Sequence, residues 1–167
     1  MNCMELVEFK PGSSGHQNII ELVSRISETE PTLVFRPTRE LREAIIVVAG
    51  ENESIKGFVC LLPFNRKFIE LGTLFVTESE RGKGLAKQLV EKAIEIAPID
   101  IVTRTNVSPL KSYLKRLGFK PVMIKSNLRL TARFTLSRAS SLKKFKKFLD
   151  TLNRNSCLFI LRKQAAQ

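Results

Sequence analysis

The sequence predicts an α/β fold: a mixed, mostly antiparallel twisted sheet flanked by helices. Three observations carry this. Three apolar runs rich in β-branched and aromatic residues, Ala44–Ala49, Ile55–Leu62 and Phe68–Val76, follow one another across short turns and read as an antiparallel meander. A glycine-containing loop then opens into a strongly amphipathic helix over Lys83–Ile96. A buried apolar run, Ile99–Thr103, follows that helix, and the crossover lets it lie parallel to the strand before it.

Each element has its own local reason. Met4–Phe9 alternates well enough for a short first strand, and Pro11–Gly15 is a loop. Ile19, Ile20, Leu22, Val23 and Ile26 recur at helical spacing, which predicts a helix over His16–Ser27. Pro31–Pro37 is irregular, and Arg39–Glu43 suits a short helical turn. Gly50–Glu53 and Pro63–Lys67 turn the meander back on itself. In Lys83–Ile96, the residues Leu85, Leu89, Val90, Ala93 and Ile94 make one apolar face. Pro109–Leu117 is a helix with proline at its start and Gly118 just past its end, the asymmetry expected of helix termini. Phe119–Ile124 and Leu128–Leu136 read as strands, Ser140–Leu152 as a basic amphipathic helix, and Cys157–Leu161 as the last strand.

A chain of 167 residues predicts one domain, residues 1–167, with enough apolar content for a real core. No apolar run reaches the roughly eighteen residues of a membrane span, and the N-terminus lacks the features of a secretory signal. Cys3, Cys60 and Cys157 are odd in number, far apart and in no C-x-x-C pair, so they suggest neither a disulfide framework nor zinc. Cys60 and Cys157 sit in apolar runs and read as small buried hydrophobes. A reducing, cytoplasmic location is expected, with no metal.

Charge is unevenly spread. Residues 1–100 carry 12 basic against 15 acidic side chains, a net of −3; residues 101–167 carry 16 against one, a net of +15. A small phosphate-bearing ligand could use part of that field but hardly all of it. Lys143, Lys144, Lys146 and Lys147 lie on the basic helix, and a DNA, RNA or ribonucleoprotein partner is one reading. A solvated basic face is the other.

The strand Glu70–Val76 runs into Arg81-Gly-Lys-Gly-Leu-Ala86, which opens directly into a helix. Two glycines expose backbone N–H groups, the helix N-terminus adds partial positive charge, and Arg81 and Lys83 add full charges. That chemistry suits a phosphate. A dinucleotide fingerprint needs a third glycine and an acid about twenty residues on, and a P-loop has different spacing. The residues Arg81-x-x-Gly84-x-Ala86 match the pattern Arg/Gln-x-x-Gly-x-Gly/Ala, so the segment resembles the GNAT superfamily of acyl-CoA-dependent N-acetyltransferases. The likeness covers roughly residues 44–125.

The resemblance implies transfer of an acetyl or other short acyl group from acetyl-CoA to an amine. Phosphate binding would fall to Arg81, Gly82, Lys83, Gly84 and Ala86, and pantetheine binding to the backbone of Leu74 and Val76. A bulge in that strand would free an N–H for the thioester oxygen. Asn106 is similar to the family's cofactor-contacting asparagine, though asparagine is also ordinary turn chemistry. In several members a catalytic glutamate stands where Glu70 stands here. Strict alternation puts Glu70 on the face of Gly72, Leu74 and Val76, and the plain alternative is an exposed glutamate at a strand mouth. A carboxylate near ~4.3 is a weak base for an amine near ~10.4, so it would act through water or with a raised pKa. The family's acid to the leaving thiolate is a tyrosine between the asparagine and Gly-Phe. Counting from Asn106 lands on Tyr113; counting back from Gly118 lands on Leu114. One extra residue separates the anchors, and it rotates a helical position by about 100°. His16, the sole histidine, reads as a surface or capping residue. A protein that uses the same scaffold to bind nucleic acid, with weak or no catalysis, is the alternative function.

Overall fold

The structure, a computed structural model, describes residues 4–30, 33, 36–51, 54–122 and 157–163. The chain divides into two compact units, residues 1–101 and 102–167. Seven strands are found among the described residues, and their paired neighbours are mostly antiparallel.

The first unit holds β1 (Glu5–Phe9), α1 (His16–Thr29), α2 (Thr38–Leu41), β2 (Ile45–Glu51), β3 (Ser54–Pro63), β4 (Phe68–Val76), a single 3₁₀ turn (Glu78–Glu80) and α3 (Leu85–Ile96). Its strands pair antiparallel in the order β1-β2-β3-β4, which is the expected meander with one strand added in front.

The apolar runs of β2 and β3 are continuous because both of their faces are covered. On one face Ile46, Val48, Phe58, Cys60 and Leu62 pack with Ile20 and Val23 of α1 and Leu41 of α2. On the other face lies α3. A Cβ built at Gly57 would meet Leu89 at 3.1 Å and Leu85 at 3.4 Å, so these α3 leucines lie directly over the strand. Leu89 and Val47 are fully buried, which at about 25 cal/mol per Å² makes such side chains worth roughly 1.5–3 kcal/mol each. The same burial fixes where α3 begins, and so where its N-terminus is presented.

His16 departs from expectation. It is buried at the start of α1, where its Nε2 donates to the Ala44 carbonyl at 2.9 Å. The ring tethers the helix to the entry of β2 instead of facing water. Cys60 is fully buried as expected; Cys157 is only half-buried.

The second unit holds α4 (Ser108–Arg116), β6 (Lys120–Val122) and β7 (Cys157–Leu161), together with most of β5 (Asp100–Thr105). Its strands run in the order β5-β7-β6, with β6 and β7 antiparallel. α4 carries proline in its first turn and closes on Gly118 at φ 87°. The Phe119 and Gly118 N–H groups donate to the Leu114 and Lys115 carbonyls, the double bond of a Schellman end. The expected strand Leu128–Leu136, the end of Phe119–Ile124, and the basic helix Ser140–Leu152 with Lys143, Lys144, Lys146 and Lys147 lie outside the described residues.

Candidate active site

The loop between β4 and α3 is the exposed part of the site. Gly82 and Gly84 have φ of 81° and 88°, values that side-chain-bearing residues rarely adopt. A Cβ at either would meet nothing within 4 Å, so backbone conformation and not crowding demands glycine. Gly84 caps α3 without any side-chain hydrogen bond. The backbone N–H groups of Gly82, Gly84, Leu85 and Ala86 find no partner among the described residues. They stand at the positive end of a helix twelve residues long. Arg81 folds back, its Nε donating to the Val76 carbonyl at 3.3 Å. Lys83 pairs with Glu80 at 3.3 Å, a surface contact worth at most about 1 kcal/mol and readily given up.

Upstream, β4 contains a bulge. Leu62, Leu61 and Cys60 of β3 face Glu70, Leu71 and Gly72, but Phe58 faces Phe75 and Gly57 faces Val76. Thr73 and Leu74 together stand opposite Val59. Thr73 is the one non-glycine residue at positive φ among those described, at 50°. For a β-branched side chain that conformation costs on the order of 1–3 kcal/mol. The extra residue reverses the phase of the strand. This corrects the expectation that Glu70 shares a face with Val76. Glu70 and Gly72 face the α1–α2 core together with Phe75, whose ring lies 5.4 Å from that of Phe58. Val76, opposite Gly57, faces α3.

Glu70 is not exposed at a strand mouth: it is 5% exposed. Its Oε1 accepts from Arg36 Nη2 at 2.7 Å. Arg36 is as deeply buried and uses every nitrogen. Nε donates to Thr73 Oγ1 at 3.3 Å, Nη1 lies 3.5 Å from Glu40 Oε2, and the backbone N–H donates to Ser27 Oγ at 2.9 Å. Burial alone would lower the Arg36 pKa, but Glu70 and then Glu40 outweigh it and hold the guanidinium above its ordinary value. The same burial pushes the Cys60 thiol up to about 12, with Glu70 adding to the rise and Arg36 opposing it. Gly72 makes room for the pair: a Cβ there would lie 3.0 Å from Glu70 Oε1 and 3.4 Å from Arg36 Nη2.

Sequence reasoning missed Arg36 and Thr73. Arg36 stands 34 residues from Glu70 and 37 from Thr73. Its only local signal is a charge following the apolar run Leu33-Val-Phe35.

In the second unit Leu114 is fully buried, whereas Tyr113 is half-buried with the Arg116 guanidinium 5.7 Å from its ring centre. Asn106 is exposed in the segment between β5 and α4, where the Thr105 hydroxyl accepts from the Val107 N–H at 3.1 Å. Among the described residues no group of three or more His, Cys, Asp and Glu could hold a metal ion, and no helix is long and apolar enough to cross a membrane.

Several solved structures share the fold. An acyl-CoA N-acyltransferase from Pseudomonas aeruginosa superposes with a TM-score of 0.63 at 13% identity, covering 95% of this chain and 99% of its own. A GNAT family acetyltransferase from Elizabethkingia anophelis, with acetyl-CoA bound, gives 0.56 at 16% identity over 98% of this chain and 100% of its own. N-acetylglutamate synthase from Neisseria gonorrhoeae, complexed with coenzyme A and N-acetyl-glutamate, gives 0.60 at 14% identity over 98% of this chain. The chain spans only 36% of that synthase. No curated protein matches the chain at a significant level. The profile of the acetyltransferase (GNAT) family matches residues 17–119, more than half of the sequence and the stretch that contains the β4 bulge, the glycine loop and α4. The chain belongs to the acetyltransferase (GNAT) family.

Proposed function

We propose that this protein transfers an acetyl or other short acyl group from acetyl-CoA to an amine. The observation that carries the reading is the sequence of features along one segment: a bulged strand, then a loop of left-handed glycines, then a helix N-terminus whose N–H groups find no partner among the described residues. Such a loop fits a pyrophosphate, because its donors are fixed in place and lie at a positive helix end. Arg81 and Lys83 would add charge by leaving their present weak contacts. The backbone of Leu74 and Val76 would bind the pantetheine arm, and the interrupted ladder at Thr73–Leu74 would offer a donor to the thioester oxygen.

The acyl donor supplies an activated carbonyl; the chain must manage the protons. The new N–C bond forms as the C–S bond breaks, the amine loses a proton and the thiolate gains one. Glu70 is our candidate to accept the first proton through water, since its carboxylate is held in a fixed place next to the bulge. Tyr113 is our candidate to donate the second. Its partial exposure supports it over Leu114, which is fully buried. Asn106 would steady the cofactor from its loop. The family match runs across the boundary of the two units, which supports residues 1–167 as a single catalytic domain. The net charge of +15 over residues 101–167 supports an acceptor on or near nucleic acid, and the odd, widely spaced cysteines support a cytoplasmic setting.

Calorimetry tests the reading. The protein should bind acetyl-CoA, and the double variant Arg81→Ala, Gly84→Asp should lose that binding while melting normally, because the aspartate puts negative charge where the pyrophosphate sits. Unchanged affinity in the variant sinks the assignment. A second arm titrates duplex DNA against salt. Changing the four lysines 143, 144, 146 and 147 to glutamine should flatten the log–log slope by about 0.9 for each phosphate no longer neutralised. Superimposable titrations remove nucleic acid from the proposal.

A further inference from the structure

We infer that Arg36 is a positioning residue for the proposed reaction: one buried guanidinium ties the Glu70 carboxylate to the Thr73 hydroxyl and so holds the β4 bulge in shape. The inference rests on the acyl-transfer reading for its catalytic half. Its structural half stands on the geometry alone.

The bulge needs a holder. Thr73 sits at φ 50°, a conformation that glycine adopts freely and a β-branched residue resists. Nothing in the local sequence supplies it, because glycine stands one residue earlier, at Gly72. The hydroxyl of Thr73 is instead fixed from outside the sheet. Arg36 donates to it through Nε at 3.3 Å and to Glu70 through Nη2 at 2.7 Å. These two nitrogens form one edge of the planar guanidinium, so the carboxylate and the hydroxyl are held at a set spacing. The third nitrogen, Nη1, leans toward Glu40 of α2, and the Arg36 backbone is pinned to Ser27 of α1. The fork is therefore anchored on two helices and cannot drift with the strand. Gly72 leaves the space in which it lies.

This arrangement links the two groups the reaction asks most of. Glu70 is the proposed proton acceptor, and the bulge is the proposed source of the donor to the thioester oxygen. A single side chain sets the position of both. Lysine cannot replace it, having one point charge and no fork.

The test uses the full chain, labelled with ¹⁵N, and reads two signals: amide peaks of residues 72–75 and coenzyme A release with acetyl-CoA. Arg36→Lys keeps a cation beside Glu70. It should move or broaden the bulge peaks and lower turnover by about 10- to 10²-fold, the cost of a misplacement near 1 Å. Thr73→Gly makes the left-handed turn intrinsic, so adding Arg36→Lys to it should leave the bulge peaks in place and cost less turnover than in the parent, the remaining loss being that of Glu70. Thr73→Val, which removes only the hydroxyl, should resemble Arg36→Lys; Thr73→Ser should resemble the parent. This pair covers the case in which lysine at the buried site fails to fold. Equal losses from Arg36→Lys in both backgrounds, or unmoved bulge peaks in Thr73→Val, overturn the inference. If the parent releases no coenzyme A with any amine, the proposed function fails and takes the catalytic half with it. The amide peaks still decide whether Arg36 holds the bulge.

Discussion

The glycine loop at residues 81–86 follows the strand that gives Glu70 and Thr73 to the Arg36 cluster, yet loop and cluster are built in opposite ways. The loop is exposed, its donors are backbone groups, and its shape comes from two glycines with open space around them. The cluster is buried, its donors and acceptors are side chains, and it is gathered from α1, α2, the segment between them and β4. A ligand-binding loop can be made from neighbours in sequence because a helix end already concentrates N–H groups. A buried ion pair cannot. It needs partners from every side to offset the loss of water around two charges.

Loss of chemistry should exceed loss of structure in this contrast. Glu70→Gln, which nearly preserves shape, should lower turnover by about 10²–10⁴-fold with little change in acetyl-CoA affinity, as measured by initial rates beside calorimetry. Equal turnover would return Glu70 to a purely structural role. Next in size is stability. Arg36→Ala leaves Glu70 buried without its cation and should cost about 3–5 kcal/mol in denaturant unfolding. Lys83→Ala, which breaks only the exposed pair with Glu80, should stay within about 1 kcal/mol. Comparable costs for the two would erase the distinction between the regions.

The smallest effect concerns Cys60, inside the cluster. Its thiol is held near 12 against an ordinary value of 9.0, mainly by burial. The folded state thus binds this proton more tightly than the unfolded chain does. The contribution to stability is complete below about pH 9 and declines as pH rises toward 12. An alkylating reagent at pH 8 should leave Cys60 untouched in the folded protein and modify it on unfolding. Rapid labelling under native conditions would show that the core around Arg36 opens readily.

The legible parts of the molecule were those with local causes. β4 and β7 have the bounds that their apolar runs predict, and α4 ends on Gly118 because a left-handed cap wants glycine. The glycine loop could be read for the same reason. The bulge could not, since its left-handed residue is a threonine. With the bulge not located, strict alternation put Val76 on the wrong face. His16 was misjudged for a related cause: the partner that draws it inside is a carbonyl 28 residues away. Which side chain of α4 has access to solvent also had to come from packing, which buries Leu114 and leaves Tyr113 half-buried.

The single added residue in β4 has one more consequence, for how this strand can change. Drawing Thr73 into a regular pleat with no residue removed would swing Phe75 away from Phe58 to the α3 side and put Val76 in its place, whereas deleting Thr73 would leave Phe75 opposite Phe58. The bulge is where a one-residue difference in length is absorbed; elsewhere in β4 a change of one exchanges inside for outside over the segment that leads to the glycine loop. Losing the extra residue would keep the helix end on the same side of the sheet but remove the left-handed turn and the interrupted ladder, whereas an insertion or deletion elsewhere in β4 would have to be matched by a second, nearby.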